Sequence, residues 1–288
     1  MITRRRFLSI SAAMAATPAL ARPHEWRGHA LGAEVSVSLD LPGDPAPLIA
    51  RIKTELRAIE AAFSLYNPGS GISRLNASGS LVPSPLWQML LPEIDRIHRV
   101  TGGLFDPTVQ PLWEALAQGR DPAAARALIG WERVRHDAQA ITLTKGQKLT
   151  LNGIAQGFAT DRIRVLLREA GLTRSLVDIG EFAALGGPYR LGLSDPLHGH
   201  LGQITLDGIA VATSSPAATP LGAEGHILHA NARPHWSTVS VVADNATLAD
   251  GLSTALVLAD RAEARRIAGS AAVRRVLMVS DEGDVVTL

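Results

Sequence analysis

Residues 149–161 read LTLNGIAQGFATD, an alternating apolar run that passes into a helix-forming run through Asn152, Gly153 and Gly157. No other stretch restricts the fold as much, because a strand-like segment, a turn of small residues and a helix start must follow one another directly. Small residues let the backbone approach a neighbour closely, and the N–H groups at a helix start carry partial positive charge. Such a junction can hold a phosphate. Glycine junctions are also common structural turns, so the segment acquires chemical meaning only from what lies beside it.

One companion is residues 248–256, LADGLSTAL, where Asp250 and Thr254 stand four apart and share one face of a predicted helix. A carboxylate and a hydroxyl are hard oxygen donors of the kind Mg²⁺ takes. Ser253 lies beside them and adds a third oxygen. An ordinary solvated helix face would carry the same pattern.

Composition sets outer bounds. The 288 residues are 46% hydrophobic, enough for a large core, and Lys+Arg 28 against Asp+Glu 27 leaves no field that would favour nucleic acid. The absence of cysteine excludes disulfides, thiolate metal sites, cysteine nucleophiles and lipid attachment through an N-terminal cysteine. Residues 1–21 read as a twin-arginine signal peptide: Thr3-Arg4-Arg5-Arg6-Phe7-Leu8 is the basic pattern, 10–20 the apolar region and Ala19-Leu20-Ala21 the cleavage site. That apolar region is too short for a membrane span. The expectation is a periplasmic protein of residues 22–288, exported and not integral to the membrane.

Alternation predicts half-buried strands at 34–39 and 237–243. Ile49, Ile52, Leu56, Ile59 and Phe63 draw an amphipathic helix over 47–62. Leu86, Leu90, Ile94 and Ile97 draw another, with Pro92 expected to kink it or end its first turn. Asp121-Pro122 starts a short helix through Leu128, and Gly171 caps the helix whose stripe is Ile163, Leu166, Leu167 and Ala170. A buried strand is expected at 176–179, and shorter ones at 140–143, 189–193, 203–206, 210–212, 274–279 and 285–287. Residues 214–235 form the least structured part. This mixture suits one α+β domain of two lobes.

Three further residues have chemical and bland readings. Tyr66, one of two tyrosines, can stack on a flat ring system, or it simply precedes the Pro68-Gly69 turn. Asp106, in Phe105-Asp106-Pro107-Thr108, is a helix N-cap and can also accept a bond from a ligand. His226 is either a loop histidine or a general base. A zinc site from His226, His229 and His235 is disfavoured by their spacing and the lack of a nearby carboxylate, and His198-Gly199-His200 reads as a solvated turn.

The glycine segment, the Asp250/Thr254 pair, TGGLFDPTVQPLWEAL (101–116), FSLYNPGSGISRLN (63–76) and VDIG (177–180) fall in an order and spacing that resemble the ApbE family of FAD:protein FMN transferases. The resemblance covers nearly the whole chain after residue 21 and implies a T-fold-like core. It further implies Mg²⁺ held by Asp250, Thr254 and the carbonyl of Ala155, with Ser253 beside them. Flavin contact would fall to Leu31, Tyr66, Leu104, Phe105, Asp106 and Ile227, phosphate approach to Asn152 and Gly153, and catalysis to His226 and Asp250. Ser73, Arg74 and Asn76 match a family ending that braces the loop.

The chain departs from the family at several points. Leu31-Gly32-Ala33 replaces Met-Gly-Thr; Thr150, Asn152 and Gln156 stand where Asp, Gly and Lys are usual; Glu181 follows VDIG directly where a second glycine is expected. His229-Ala230-Asn231-Ala232 replaces the Asp-Pro and Thr-Gly continuation of the His226 block. The implied reaction takes FAD as substrate, joins FMN by a phosphoester to a Thr or Ser of an acceptor flavoprotein and releases AMP. The alternatives are an FAD pyrophosphatase giving FMN and AMP, and a non-catalytic exported flavin-binding protein.

Overall fold

The computed structural model describes residues 8–9, 23–221 and 225–288; apart from 8–9, the signal-peptide reading of 1–21 lies outside the described residues. In chain order the first half comprises β1 (Leu8–Ser9), β2 (His24–Ala30), β3 (Ala33–Leu39), α1 (Ala46–Phe63), α2 (Gly71–Ser78), β4 (Ser80–Leu81), α3 (Pro85–Val100), α4 (Gln110–Ala117), α5 (Ala123–Arg126), β5 (Arg135–His136) and β6 (Ile141–Thr142). The second half comprises α6 (Ala155–Glu169), β7 (Ser175–Asp178), β8 (Phe182–Leu185), β9 (Tyr189–Asp195), β10 (Gly199–Leu206), β11 (Ala210–Ser214), β12 (Thr238–Ala243), α7 (Ala246–Leu256), α8 (Arg261–Ser270), β13 (Arg275–Val279) and β14 (Val285–Thr287).

An eight-stranded sheet in the order β14-β13-β12-β11-β8-β7-β3-β2 forms the centre, with every neighbouring pair antiparallel. Two three-stranded sheets accompany it, β1-β9-β10 and β4-β6-β5. Helix α7 packs on β11 and β12, α6 packs on α7, and α1 and α3 close over α6 and α7 respectively. The main core lies between these helices and the sheet and includes Val37, Ile59, Ile94, Ile163, Val241 and Leu252. The β9–β10 hairpin covers the other face through Leu191, Leu206, Phe182, Val211 and Val242.

Local patterns explain much of this. Val35, Val37 and Leu39 of β3 are buried and the residues between them are not, as alternation predicts. Ile52, Leu56, Ile59 and Phe63 form the buried face of α1. Gly171, at φ +85, closes the end of α6 as expected, its N–H donating to the Arg168 carbonyl while the Leu172 N–H donates to Leu167.

Three expectations are corrected. Pro92 does not end helix α3, which continues through it from Pro85 to Val100. Both Pro92 and Gln88, whose carbonyl loses its partner, face solvent, so water can satisfy the freed group. Strand β12 is buried along its whole length instead of half, because α7 covers one face and the Phe182 cluster the other. The run before the glycine turn, 149–151, forms no strand and joins no sheet. Its backbone is paired by a side chain: Asn76 donates to the Leu149 carbonyl at 2.8 Å and accepts from the Leu149 N–H at 2.7 Å. Among the described residues no helix is long and apolar enough to cross a membrane.

Candidate active site

The site is organised where the start of α6 meets α7. The Gly157 N–H, in the first turn of α6, donates to Asp250 Oδ2 at 2.9 Å, and Thr254 Oγ1 lies 3.5 Å from the Gly153 carbonyl. Glycine is required at both positions by this approach. A Cβ on Gly157 would lie 2.2 Å from the Ala246 carbonyl oxygen and 2.7 Å from Asp250 Cβ, and one on Gly153 would lie 2.8 Å from Thr254 Oγ1. The solvated-face reading of Asp250 is corrected: it is only 3% exposed, held at a helix start where the peptide dipoles favour negative charge.

Ser253 is fully buried, donating to the Asp250 carbonyl at 3.0 Å and sitting 2.8 Å from Ser214 Oγ. Its hydroxyl therefore supports α7 and the neighbouring strand. Ser214, at the end of β11, also lies 3.3 Å from Thr254 Oγ1. Nothing in the local sequence distinguished Ser214; only the pairing of β11 beside α7 brings it here.

The same strand end carries the histidine. Two residues past Ser214, the Pro216 carbonyl accepts from His226 Nδ1 at 3.1 Å. That bond assigns the ring proton to Nδ1 and makes Nε2 the basic nitrogen. Ile227 is buried in the main core and Leu228 in a smaller cluster with Leu112 and Leu221, which anchors the segment after His226.

Asp106 caps the turn that follows it, accepting from the Thr108 N–H at 2.8 Å and from the Trp131 N–H at 3.0 Å. The N-cap reading is thus correct. Leu104 and Phe105 are buried in the core. The Pro107 carbonyl accepts from the Thr150 N–H at 2.8 Å, which ties this block to the glycine segment. A cavity of about 360 Å³ opens beside it, lined by His98, Asp106, Glu132, His229 and Asn231 among others. Its size is that of a small-ligand pocket.

His229 is a bracing residue. Its Nδ1 accepts from the N–H groups of Asn231 and Ala232 at 3.2 and 2.9 Å, and burial pushes its pKa down, outweighing the opposing influence of Asp106. Among the described residues, no three His, Cys, Asp or Glu side chains gather as a metal site.

Tyr66 and Leu31 form a separate pair. The Tyr66 ring is 75% exposed and flanks the β2–β3 turn, 3.4 Å from where a Cβ on Gly32 would lie. Leu31 adopts φ +51, an unusual conformation for leucine, with its N–H donating to Glu60 Oε1 at 3.0 Å. Asn76 on α2 connects the Tyr66 region to the glycine segment through Leu149. Two departures from the family pattern meet nearby. The Gln156 amide packs over Gly180, and Glu181 is buried, accepting from the Thr213 N–H at 3.0 Å.

Around the α6–α7 junction the donors are a carboxylate, a hydroxyl and helix-start backbone, all hard oxygen or N–H groups. The glycine cradle brings them together, and this set fits Mg²⁺ and a phosphate-bearing ligand. Fold and site together define the class: an α+β protein whose antiparallel sheet carries an oxygen-lined helix junction. The sequence profile of the ApbE family matches residues 31–277, and the chain belongs to that family.

Among curated relatives, the FAD:protein FMN transferase of Salmonella typhimurium is 27% identical over 283 residues, covering 83% of this chain and 78% of its own. That of Rhodobacter capsulatus is 30% identical over 210 residues, 64% of this chain and 40% of its own. The flavinyl transferase ApbE of Pseudomonas stutzeri, apo form, has the same fold, with TM-score 0.80 and 24% identity over 92% of this chain and 94% of that one. The flavin transferase ApbE of Vibrio cholerae superposes with TM-score 0.78 at 22% identity over 92% and 97% of the two chains.

Proposed function

We propose that this protein transfers FMN from FAD to a Thr or Ser hydroxyl of an acceptor flavoprotein. The acceptor oxygen attacks the phosphorus on the FMN side of the pyrophosphate, a phosphoester bond forms, and the bond to AMP breaks. The observation that carries this reading is the convergence of Asp250 and Thr254 on the start of α6, with the Gly157 N–H 2.9 Å from Asp250. Membership of the ApbE family and the names of its relatives support it.

Each residue has a defined part. Asp250, Thr254 and the Ala155 carbonyl would hold Mg²⁺, which when bound neutralises charge on the pyrophosphate. The backbone at Asn152 and Gly153 approaches the phosphates, and Tyr66 with Leu31 offers a ring-sized face for the isoalloxazine. Asp106 borders the cavity lined by His98 and His229. His226, its Nδ1–H directed at Pro216, takes the acceptor hydroxyl proton through Nε2. Catalysis of this kind rests on positioning and charge, with little covalent help from the enzyme.

We also propose that the protein works in the periplasm after twin-arginine export, a reading that rests on residues 1–21. Fractionating cells that make the full chain, with and without Arg4 and Arg5 changed to Lys, tests it. For the activity, purified protein is mixed with FAD and Mg²⁺, with and without acceptor. Covalent flavin fluorescence on the acceptor is expected. Free FMN and AMP regardless of acceptor would establish a pyrophosphatase instead, and unchanged FAD a binding protein.

A further inference from the structure

Hydroxyl groups surround the Asp250–Thr254 pair, and counting their protons gives the cluster a direction. Each Ser or Thr hydroxyl carries one proton and two lone pairs. Ser253, fully buried, donates to the Asp250 carbonyl at 3.0 Å. In its 2.8 Å contact with Ser214 it must therefore accept, so Ser214 donates. With the Ser214 proton so used, the 3.3 Å contact between Ser214 and Thr254 is one in which Thr254 donates. The order is Thr254 to Ser214 to Ser253 to the Asp250 carbonyl. The other acceptor near Thr254, the Gly153 carbonyl, is more distant at 3.5 Å.

The structure assigns Ser214 as a positioning residue that turns the Thr254 proton away from the ligand side and so presents that oxygen's lone pairs to a cation. A hydroxyl that points its proton at a cation is a poor ligand; one whose proton is held elsewhere is a good one. The inference rests on the proposed Mg²⁺ role of Asp250 and Thr254.

Ser214 is itself held in place from its other side. The next residue, Ser215, is buried and lies 2.6 Å from Thr238 Oγ1, which donates to Asp195 Oδ2 at 2.6 Å. Asp195, 2% exposed, also accepts from Ser237 and from the N–H groups of Leu197 and His198. The end of β11 is thus pinned to β12 and to the β9–β10 hairpin, and Ser214 cannot drift from Thr254 without breaking that lock.

Two variants of equal shape isolate the hydroxyl: Ser214→Thr keeps it, and Ser214→Val replaces it with a methyl. The measurement is Mn²⁺ binding to the FAD-saturated protein without acceptor, read as free Mn²⁺ by electron paramagnetic resonance, with thermal midpoints recorded for each variant. Ser214→Val should weaken Mn²⁺ binding roughly three- to tenfold, the weight of one hydrogen bond. Ser214→Thr, which keeps the hydrogen bond, should stay within about twofold of wild type, and excess Mn²⁺ should restore turnover to Ser214→Val. Equal Mn²⁺ affinity in the Val and Thr variants, or equal loss in both, would overturn the assignment. Asp250→Asn separates the two levels. If it abolishes Mn²⁺ binding while Ser214→Val leaves it unchanged, the relay fails and the metal reading stands; if it leaves binding unchanged, both fail.

Discussion

His226 carries the chemical step of the proposed reaction, and the bond from its Nδ1 to the Pro216 carbonyl at 3.1 Å sets its tautomer. His226→Ala should cut flavin transfer by about 10²- to 10⁴-fold, the usual weight of a general base, while FAD affinity changes little. Rate and binding have to be measured separately, since a joint loss would mark His226 as a brace for its loop. Tyr66 poses the opposite case. At 75% exposed it contributes little to the core, so Tyr66→Ala should leave the thermal midpoint unchanged and weaken FAD binding by about 1–2 kcal/mol. An unaltered dissociation constant in a fluorescence titration would remove Tyr66 from the flavin site. For both residues the type and sequence position were legible beforehand, because one of only two tyrosines in an aromatic-poor chain and a histidine preceding an apolar pair stand out. Ser214 and Glu60 were not, since their importance lies wholly in partners distant in sequence.

At the scale of elements, the crossing of α6 and α7 is the feature on which both stability and site geometry depend. Gly157→Ala would force a methyl to within 2.2 Å of the Ala246 carbonyl, a backbone atom that cannot swing aside. The helices must separate, at a cost of about 3 kcal/mol or more. A fall in thermal midpoint of roughly 6–12 °C is expected, and a midpoint equal to wild type would show that the helices do not pack this closely. The β9–β10 hairpin is attached to β12 through Asp195. Burial alone would raise this carboxyl, but bonds from Ser237, Thr238, His198 and Leu197 outweigh it and hold it below the ordinary carboxylate range. A group depressed in the folded state contributes fully above its unfolded value of about 3.9 and loses that contribution as pH falls through the lower folded value. Wild type should therefore lose stability below about pH 4 more steeply than Asp195→Asn in acid titrations followed by denaturant unfolding. Parallel curves would show that the lock contributes nothing. Periodicity foretold the helices α1 and α6 and the strand β3, each with one buried face. It missed β2, β8, α2 and α8, whose apolar content is low or whose length is short, and it misjudged β12, whose two covered faces depend on elements far away in the chain.

In the whole molecule the sheet gathers these parts: β11 and β12 lie side by side, α7 packs on both, and the start of α6 meets α7 at the site. A ligand that binds only this assembled state stabilises it by mass action. FAD with Mg²⁺ at a hundred times its dissociation constant should add about 2.7 kcal/mol to the unfolding free energy, seen as a rise in thermal midpoint that AMP or riboflavin alone does not reproduce. A midpoint indifferent to FAD would exclude binding to the folded site. What the sequence by itself determined is local: the helix stripes, the Asp106 cap, the glycine junction at 149–161 and the pairing of Asp250 with Thr254 on one helix face. These follow from side-chain size, backbone freedom and helical spacing, all of which act over a few residues. Only the tertiary structure decided that Asp250 is buried against Gly157, that Asn76 pairs the backbone at Leu149, and that Ser214 touches Thr254. Those contacts join residues 40 to 93 positions apart, and hydrogen-bond partners at such separations are chosen by strand order and helix packing, which no local pattern encodes.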